Sequence, residues 1–354
     1  MRKFLSTGIN KIKSFAILSY FQIIGIIFFI LSLPCVSFSQ QIEKLSTIEG
    51  QLIRSIPSLK NFKPGLISPQ TSLSKKKETP NLRNLSANNI DYGTKAKSDP
   101  VLQRVSSTAK LSSQEANSLA SIPSTIDKNF DGQGFTSVSP ASPSIAAGPD
   151  HVLQMINGPT GSHFKIWDRD GNVVINQTIL SSLFGGGDYS GVAEPVAIYD
   201  QFADRYMMTE LGTVGGSILV NTLVIAISQT NDPTGGWNLY KFTDNSFYHS
   251  SPHFAAWPNV LYASTNDFLY NGSYFTSYLG TSLYAIDKNQ MVAGNLTVTL
   301  LRYRLMTANK DDVCPVNISG STPPASGSPG IFMYISDDNF TSSATDVDSV
   351  GFIS

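Results

Sequence analysis

Residues 195–206 read Pro-Val-Ala-Ile-Tyr-Asp-Gln-Phe-Ala-Asp-Arg-Tyr. A short apolar run ends at Tyr199-Asp200, turn-type residues follow, and the chain re-enters a strand at Arg205. The pattern predicts a β-hairpin with Asp200 and Asp204 accepting from turn amides and Arg205 pairing with one of those acids. The stretch constrains the fold because its cadence recurs. Strand-type runs are predicted at 151–157, 163–168, 172–179, 195–199, 205–211, 218–228, 237–242, 260–265, 277–286, 297–304 and 331–335. The separators are turn chemistry: Asp168-Arg169-Asp170-Gly171, Asn231-Asp232-Pro233-Thr234-Gly235-Gly236, Asn271-Gly272 and Asp337-Asp338-Asn339. Many short strands with little helical periodicity predict an all-β sandwich or propeller. The 229 residues from 126 onward are long for one sandwich and would fit about five blades of about 45 residues each.

The first 40 residues have another texture. Arg2, Lys3, Lys11 and Lys13 precede an apolar run from Phe15 to Leu33, and Ser37-Phe38-Ser39 offers small residues at a cleavage position. This predicts a signal peptide over 1–39 and export to the cell surface or medium, with the membrane touched only through this segment if it is left uncleaved. Cys35 follows Pro34, which stands where lipidation needs a small residue. After cleavage only Cys314 remains, so the fold does not depend on disulfides.

Residues 40–125 read as a flexible, propeptide-like linker, rich in Ser, Lys, Asn and Pro and carrying the basic run Lys75-Lys76-Lys77. Leu45, Ile48, Leu52, Ile53 and Ile56 fall at helical spacing and suggest one short amphipathic helix before Pro57. Residues 41–125 hold 12 Lys/Arg against 6 Asp/Glu, while 126–354 hold 9 against 20. So acidic a domain argues against nucleic acid, which requires a basic face.

From residue 129 onward the chain resembles a family of large, mostly uncharacterised secreted β-propeller-like proteins common in bacteria. The resemblance rests on Asn129-Phe130-Asp131-Gly132, on 146–157, and on Tyr199-Asp200 with Ala203-Asp204-Arg205-Tyr206. Asp232-Pro233-Thr234-Gly235, Trp257-Pro258-Asn259, 285–295 and the Pro-rich run 323–329 follow in order. The resemblance implies export and a propeller and no established activity; from the residues themselves, Trp237 and Trp257 suit blade corners, where an aromatic closes over a turn fixed by Asp or Gly. It also implies a longer parent chain, so the domain at 126–354 is expected to be incomplete. Ser142 and Glu194 stand where the family has Asp, which puts any shared cation site in question.

Three sets of residues could carry chemistry. Asp168, Asp170 and Asn172 place oxygens at alternating positions, as Ca²⁺ loops do, and Asp337-Asp338 invites the same comparison; a plain Asp-Gly hairpin turn is the simpler reading. Arg302 and Arg304 alternate on one strand and would share a face, either as solvated charges or as a grip for an anionic ligand. His249 and His253 share a Ser/Pro loop without zinc-site spacing. The expectation is a binding module for an extracellular carbohydrate or protein. The alternative is a sialidase-like glycoside hydrolase or lyase acting on extracellular carbohydrate; a sialidase would need an Arg cluster, a Tyr activated by a carboxylate, and an acid.

Overall fold

The computed structural model describes residues 42–62 and 128–354, except 135, 186–188, 215–216, 245–247, 271–274, 306–312, 319, 321 and 337–348. The expected signal peptide at 1–39, the remainder of the expected linker, and Asp337 and Asp338 lie outside the described residues.

The fold is all-β. Its strands are β1 (Ile42–Ile56), β2 (Ser144–Ala147), β3 (His151–Gly158), β4 (Gly161–Asp168), β5 (Val173–Ile179), β6 (Tyr189–Asp200), β7 (Arg205–Val214) and β8 (Ser217–Ser228). They continue as β9 (Trp237–Asp244), β10 (Tyr248–Ala256), β11 (Val260–Tyr270), β12 (Phe275–Asp287), β13 (Thr297–Leu305), β14 (Cys314–Pro315), β15 (Phe332–Ser336) and β16 (Ser349–Ile353). Two short helices, α1 (Leu180–Leu183) and α2 (Lys288–Val292), follow β5 and β12.

Nine strands form one antiparallel sheet in the order β10-β11-β12-β13-β1-β9-β8-β7-β6. The sheet curls until its edge strands β6 and β10 approach one another, nearly closing it. Across that seam Glu194 accepts from the backbone N–H of Ser251 (2.5 Å) and the hydroxyl of Ser250 (3.1 Å). A bulge between Ala193 and Val196, where Glu194 takes φ +64°, turns this side chain toward β10. The strands β2–β5 make a four-stranded meander, and β14–β16 make a small third sheet. The nine-stranded sheet is continuous, so strand order alone fixes no number of blades.

Alternation along the strands separates two cores. On the inner face Ile225, Ile227, Tyr240, Leu261, Ile286, Val298 and Leu300 pack together. On the outer face Tyr206, Met208, Val224, Ala226 and Leu239 pack against Leu153, Met155, Phe164 and Ile166 of the four-stranded sheet. A third cluster seats Phe332 and Ile353 of the small sheet against Leu283 and Leu305.

The largest departure from expectation is β1. Residues 42–56, expected as flexible linker with a helix, form a strand between β9 and β13 at the middle of the nine-stranded sheet. The spacing of Leu45, Ile48 and Leu52 fits a helix and also fits a strand interrupted by bulges, which occur at Lys44/Ser46 and Leu52/Arg54. Two open ladders on either side decide the outcome. Gly50 is required there, because a Cβ would lie 2.1 Å from Cε1 of the Phe242 ring.

Candidate functional site

The inner face of the nine-stranded sheet is apolar toward α2 and polar toward its other end. The polar end is organised around Asp267, whose side chain is fully buried. Its Oδ2 accepts from Arg302 Nη2 (2.7 Å), Arg304 Nη2 (2.7 Å) and Ser282 Oγ (2.6 Å). Its Oδ1 meets His249 Nδ1 at 2.8 Å and Thr265 Oγ1 at 3.3 Å. One carboxylate therefore ties together β10, β11, β12 and β13. Burial alone would raise the Asp267 pKa, but the neighbouring His249, Arg302 and Ser282 overcome it and hold the carboxyl well below the usual range.

The pair Arg302 and Arg304 shares a face, as their spacing predicts, but neither is a solvated or edge charge. They are 2% and 7% exposed, respectively, and converge on Asp267. The register explains this. Arg304 lies opposite Ser282 and Arg302 opposite Tyr284, while Asp267 on β11 comes level with the same end of β12. His249 and His253 are also not in a loop. They lie on edge strand β10, which tolerates Pro252 because its register breaks between Ser250 and His253.

The His249–Asp267 contact has the geometry with which a carboxylate orients a catalytic imidazole. The hydroxyls of Thr265 and Tyr284, however, approach Nδ1 (3.4 Å each), the same atom that meets Asp267. They compete for the orienting contact and do not lie at Nε2, where a base would take a proton. The arrangement is a buried polar network that ties four strands together in register.

On the opposite face of the sheet lies a second buried acid. Glu210 of β7 points toward the four-stranded sheet, where Oε2 accepts from the Ser162 backbone N–H (2.8 Å) and Oε1 from the Tyr189 hydroxyl (2.7 Å). Gly191 admits the carboxylate, since a Cβ there would sit 2.4 Å from Oε1. Burial pushes the Glu210 pKa up to about 7, and the hydrogen bonds from Ser162 and Tyr189 offset this only in part. The Tyr189 hydroxyl is driven well above its ordinary value by the same burial and by Glu210. The tyrosine–carboxylate pair and the arginine pair of a sialidase are thus both present, on opposite faces of one sheet.

The hairpin at 195–206 forms as predicted, with Asp200 on the turn amides, but Asp204 and Arg205 take other partners than expected. Asp200 Oδ1 accepts from Phe202 N–H (2.9 Å) and Ala203 N–H (3.2 Å), and Asp204 Oδ1 accepts from the Tyr199 hydroxyl (2.6 Å). Arg205 pairs with neither acid. Its Nη1 donates to the carbonyls of Ala203 (3.2 Å) and Asp204 (2.8 Å). The partner of Asp200 is Lys288, the first residue of α2, at 2.6 Å.

Both tryptophans hold corners. Trp237 is fully buried and donates from Nε1 to the Pro233 carbonyl (2.8 Å), closing the β8–β9 turn that Asp232 stiffens by accepting from Thr234 N–H (2.9 Å). Trp257 donates to the Val316 carbonyl (2.9 Å) and stacks edge-on against Tyr262.

The Asp168 loop is a hairpin turn. Asp168 accepts from the N–H groups of Asp170 (2.9 Å) and Asn172 (2.8 Å) and from Asn172 Nδ2 (2.9 Å), while Asp170 pairs with Lys128 (2.9 Å). Among the described residues no group of three His, Cys, Asp or Glu side chains is gathered as metal ligands would be.

Sequence reasoning missed Asp267, Glu210 and Lys288. The available signal was a charged residue in phase with apolar neighbours: Leu261, Ala263, Thr265 and Asp267 alternate on one face of β11. No protein-family model, curated protein or solved structure matches the chain.

Proposed function

We propose that this is an exported, cell-surface or secreted binding module whose partner is an extracellular protein. The observation that carries the reading is the outward face of the small third sheet. Ile335 is 63% exposed and Phe352 64%, with Met333 and Val350 beside them in register. Neither β15 nor β16 carries a charged residue, and β16 is an edge strand. Two uncharged apolar strands, of which β16 is an edge among the described residues, suit strand addition by another polypeptide better than a hydroxyl-rich sugar. The glycosidase alternative is weakened because its arginines are engaged with Asp267 and its Tyr–Glu pair lies on the other face.

The test uses the full chain and an Ile335→Lys/Phe352→Glu double variant, applied to panels of extracellular proteins and of glycans. The expected result is a protein ligand whose binding the double variant weakens at least about tenfold, roughly the 1.4 kcal/mol that two buried apolar anchors exceed. Equal binding by both forms, or binding to glycans alone, would refute the reading.

A further inference from the structure

Asp200 and Lys288 meet at the apolar end of the nine-stranded sheet, where the β6–β7 corner faces the start of α2. Both side chains are fully buried, with Nζ 2.6 Å from Oδ2. The two groups are fixed from both sides. Oδ1 is held by the turn amides of Phe202 and Ala203. Nζ donates to the Trp257 carbonyl and lies 5.8 Å from the centroid of the Phe202 ring. Oδ2, in contrast, receives no directed hydrogen bond, so Nζ is close to it but off the line along which a carboxylate accepts. An amine and a carboxyl group are thus held in contact, in one orientation and away from water. Such fixed proximity accelerates bond formation between two groups by orders of magnitude.

We propose that Lys288 and Asp200 condense to an isopeptide bond that links the β6–β7 corner covalently to α2. One ammonium proton of Lys288 passes to Oδ2. The amine lone pair then forms the bond to Cγ, and Oδ2 leaves with two protons as water. The ion pair supplies both protons, net charge is unchanged, and no oxidant or further reactant is consumed. Burial lowers the proton affinity of Lys288, which favours the neutral amine the step requires. The product keeps the existing contacts: Oδ1 still accepts from Phe202 and Ala203, and the remaining N–H still donates to Trp257. It also removes two charges from an apolar site, where a buried ion pair barely repays its desolvation.

Peptide mass spectrometry on the folded full chain tests this directly. The expected result is a branched peptide containing Asp200 and Lys288, lighter than its two components by one water. Lys288→Arg and Asp200→Ala should each yield unbranched peptides of full mass. Folded wild-type protein, judged by its near-ultraviolet circular dichroism, that releases the two peptides separately would overturn the proposal. So would water loss confined to the Asp200 peptide, which marks a succinimide. The wild-type spectrum decides the matter even if neither variant folds.

Discussion

Glu210→Gln should change the pH dependence of stability more than stability itself. In the fold the Glu210 carboxyl is buried without a cation beside it, and its pKa stands at about 7 against an ordinary 4.5. Below about pH 4.5 the group is protonated in both folded and unfolded chains, and the preference of the fold for the neutral acid contributes fully. Between about pH 4.5 and 7 the unfolded chain releases its proton while the fold retains it, so this contribution drains away. The displacement corresponds to about 3 kcal/mol at roughly 1.4 kcal/mol per pH unit. Glutamine mimics the neutral acid and has no proton to lose. Urea unfolding followed by tryptophan fluorescence, run at steps from pH 4.5 to 8.5, should show the wild type losing up to about 3 kcal/mol relative to Glu210→Gln across that window. Tyr189→Phe removes a donor to the ionised form and should move the midpoint to higher pH. A wild-type-to-variant difference that stays constant with pH would refute the reasoning.

Other perturbations address the fold and the polar end of its inner face. Deleting residues 42–62 opens ladders on both β9 and β13 and should abolish cooperative unfolding; a truncated chain melting like the wild type would contradict the central placement of β1. Gly50→Ala should cost about 1–3 kcal/mol by forcing the Phe242 ring aside, measurable as a lower urea midpoint with unchanged slope. Asp267→Ala strips the shared carboxylate from two buried guanidiniums and should cost about 3–5 kcal/mol at neutral pH. Because the Asp267 pKa is depressed in the fold, its contribution persists at neutral pH and is lost only as acid carries the pH down through the lowered value. Adding or chelating Ca²⁺ should leave the melting temperature unchanged, since Asp168 is engaged by its own turn; a clear rise with Ca²⁺ would show otherwise.

What the sequence made legible was local. The hairpins whose turns carry Asp-Gly or Asn-Asp-Pro signals at 168–172 and 231–236 were readable because short-range hydrogen bonds define them. The β8–β9 turn shows this, with Thr230, Asp232, Pro233, Thr234 and Trp237 bonded among themselves. What escaped was set by distant partners. β10 contains Pro252 and reads as a loop, yet it pairs because β11 offers a ladder and the proline falls in a bulge. β1 lacks a clean period-two alternation, because bulges interrupt it, and takes its conformation from strands some 200 residues away in sequence. The same holds for charge. Arg302 and Arg304 were visible as a pair, but Asp267, which decides what they do, is 35 residues from Arg302. Arg205 beside Asp204 looked like an ion pair, yet it caps carbonyls, because Lys288 takes Asp200 from across the sheet.

The position of β1 bears on how this protein can be assembled and taken apart. β1 precedes the other described strands but cannot be seated until β9 and β13 exist, so the nine-stranded sheet stays open until β13 has emerged. Once seated, β1 is joined to the rest through a connection running from residue 62 to residue 128. A single proteolytic cut in that connection would turn β1 into a separate peptide held by two ladders. It could then be displaced, exchanged with the same strand of a second molecule, or replaced by a labelled synthetic copy.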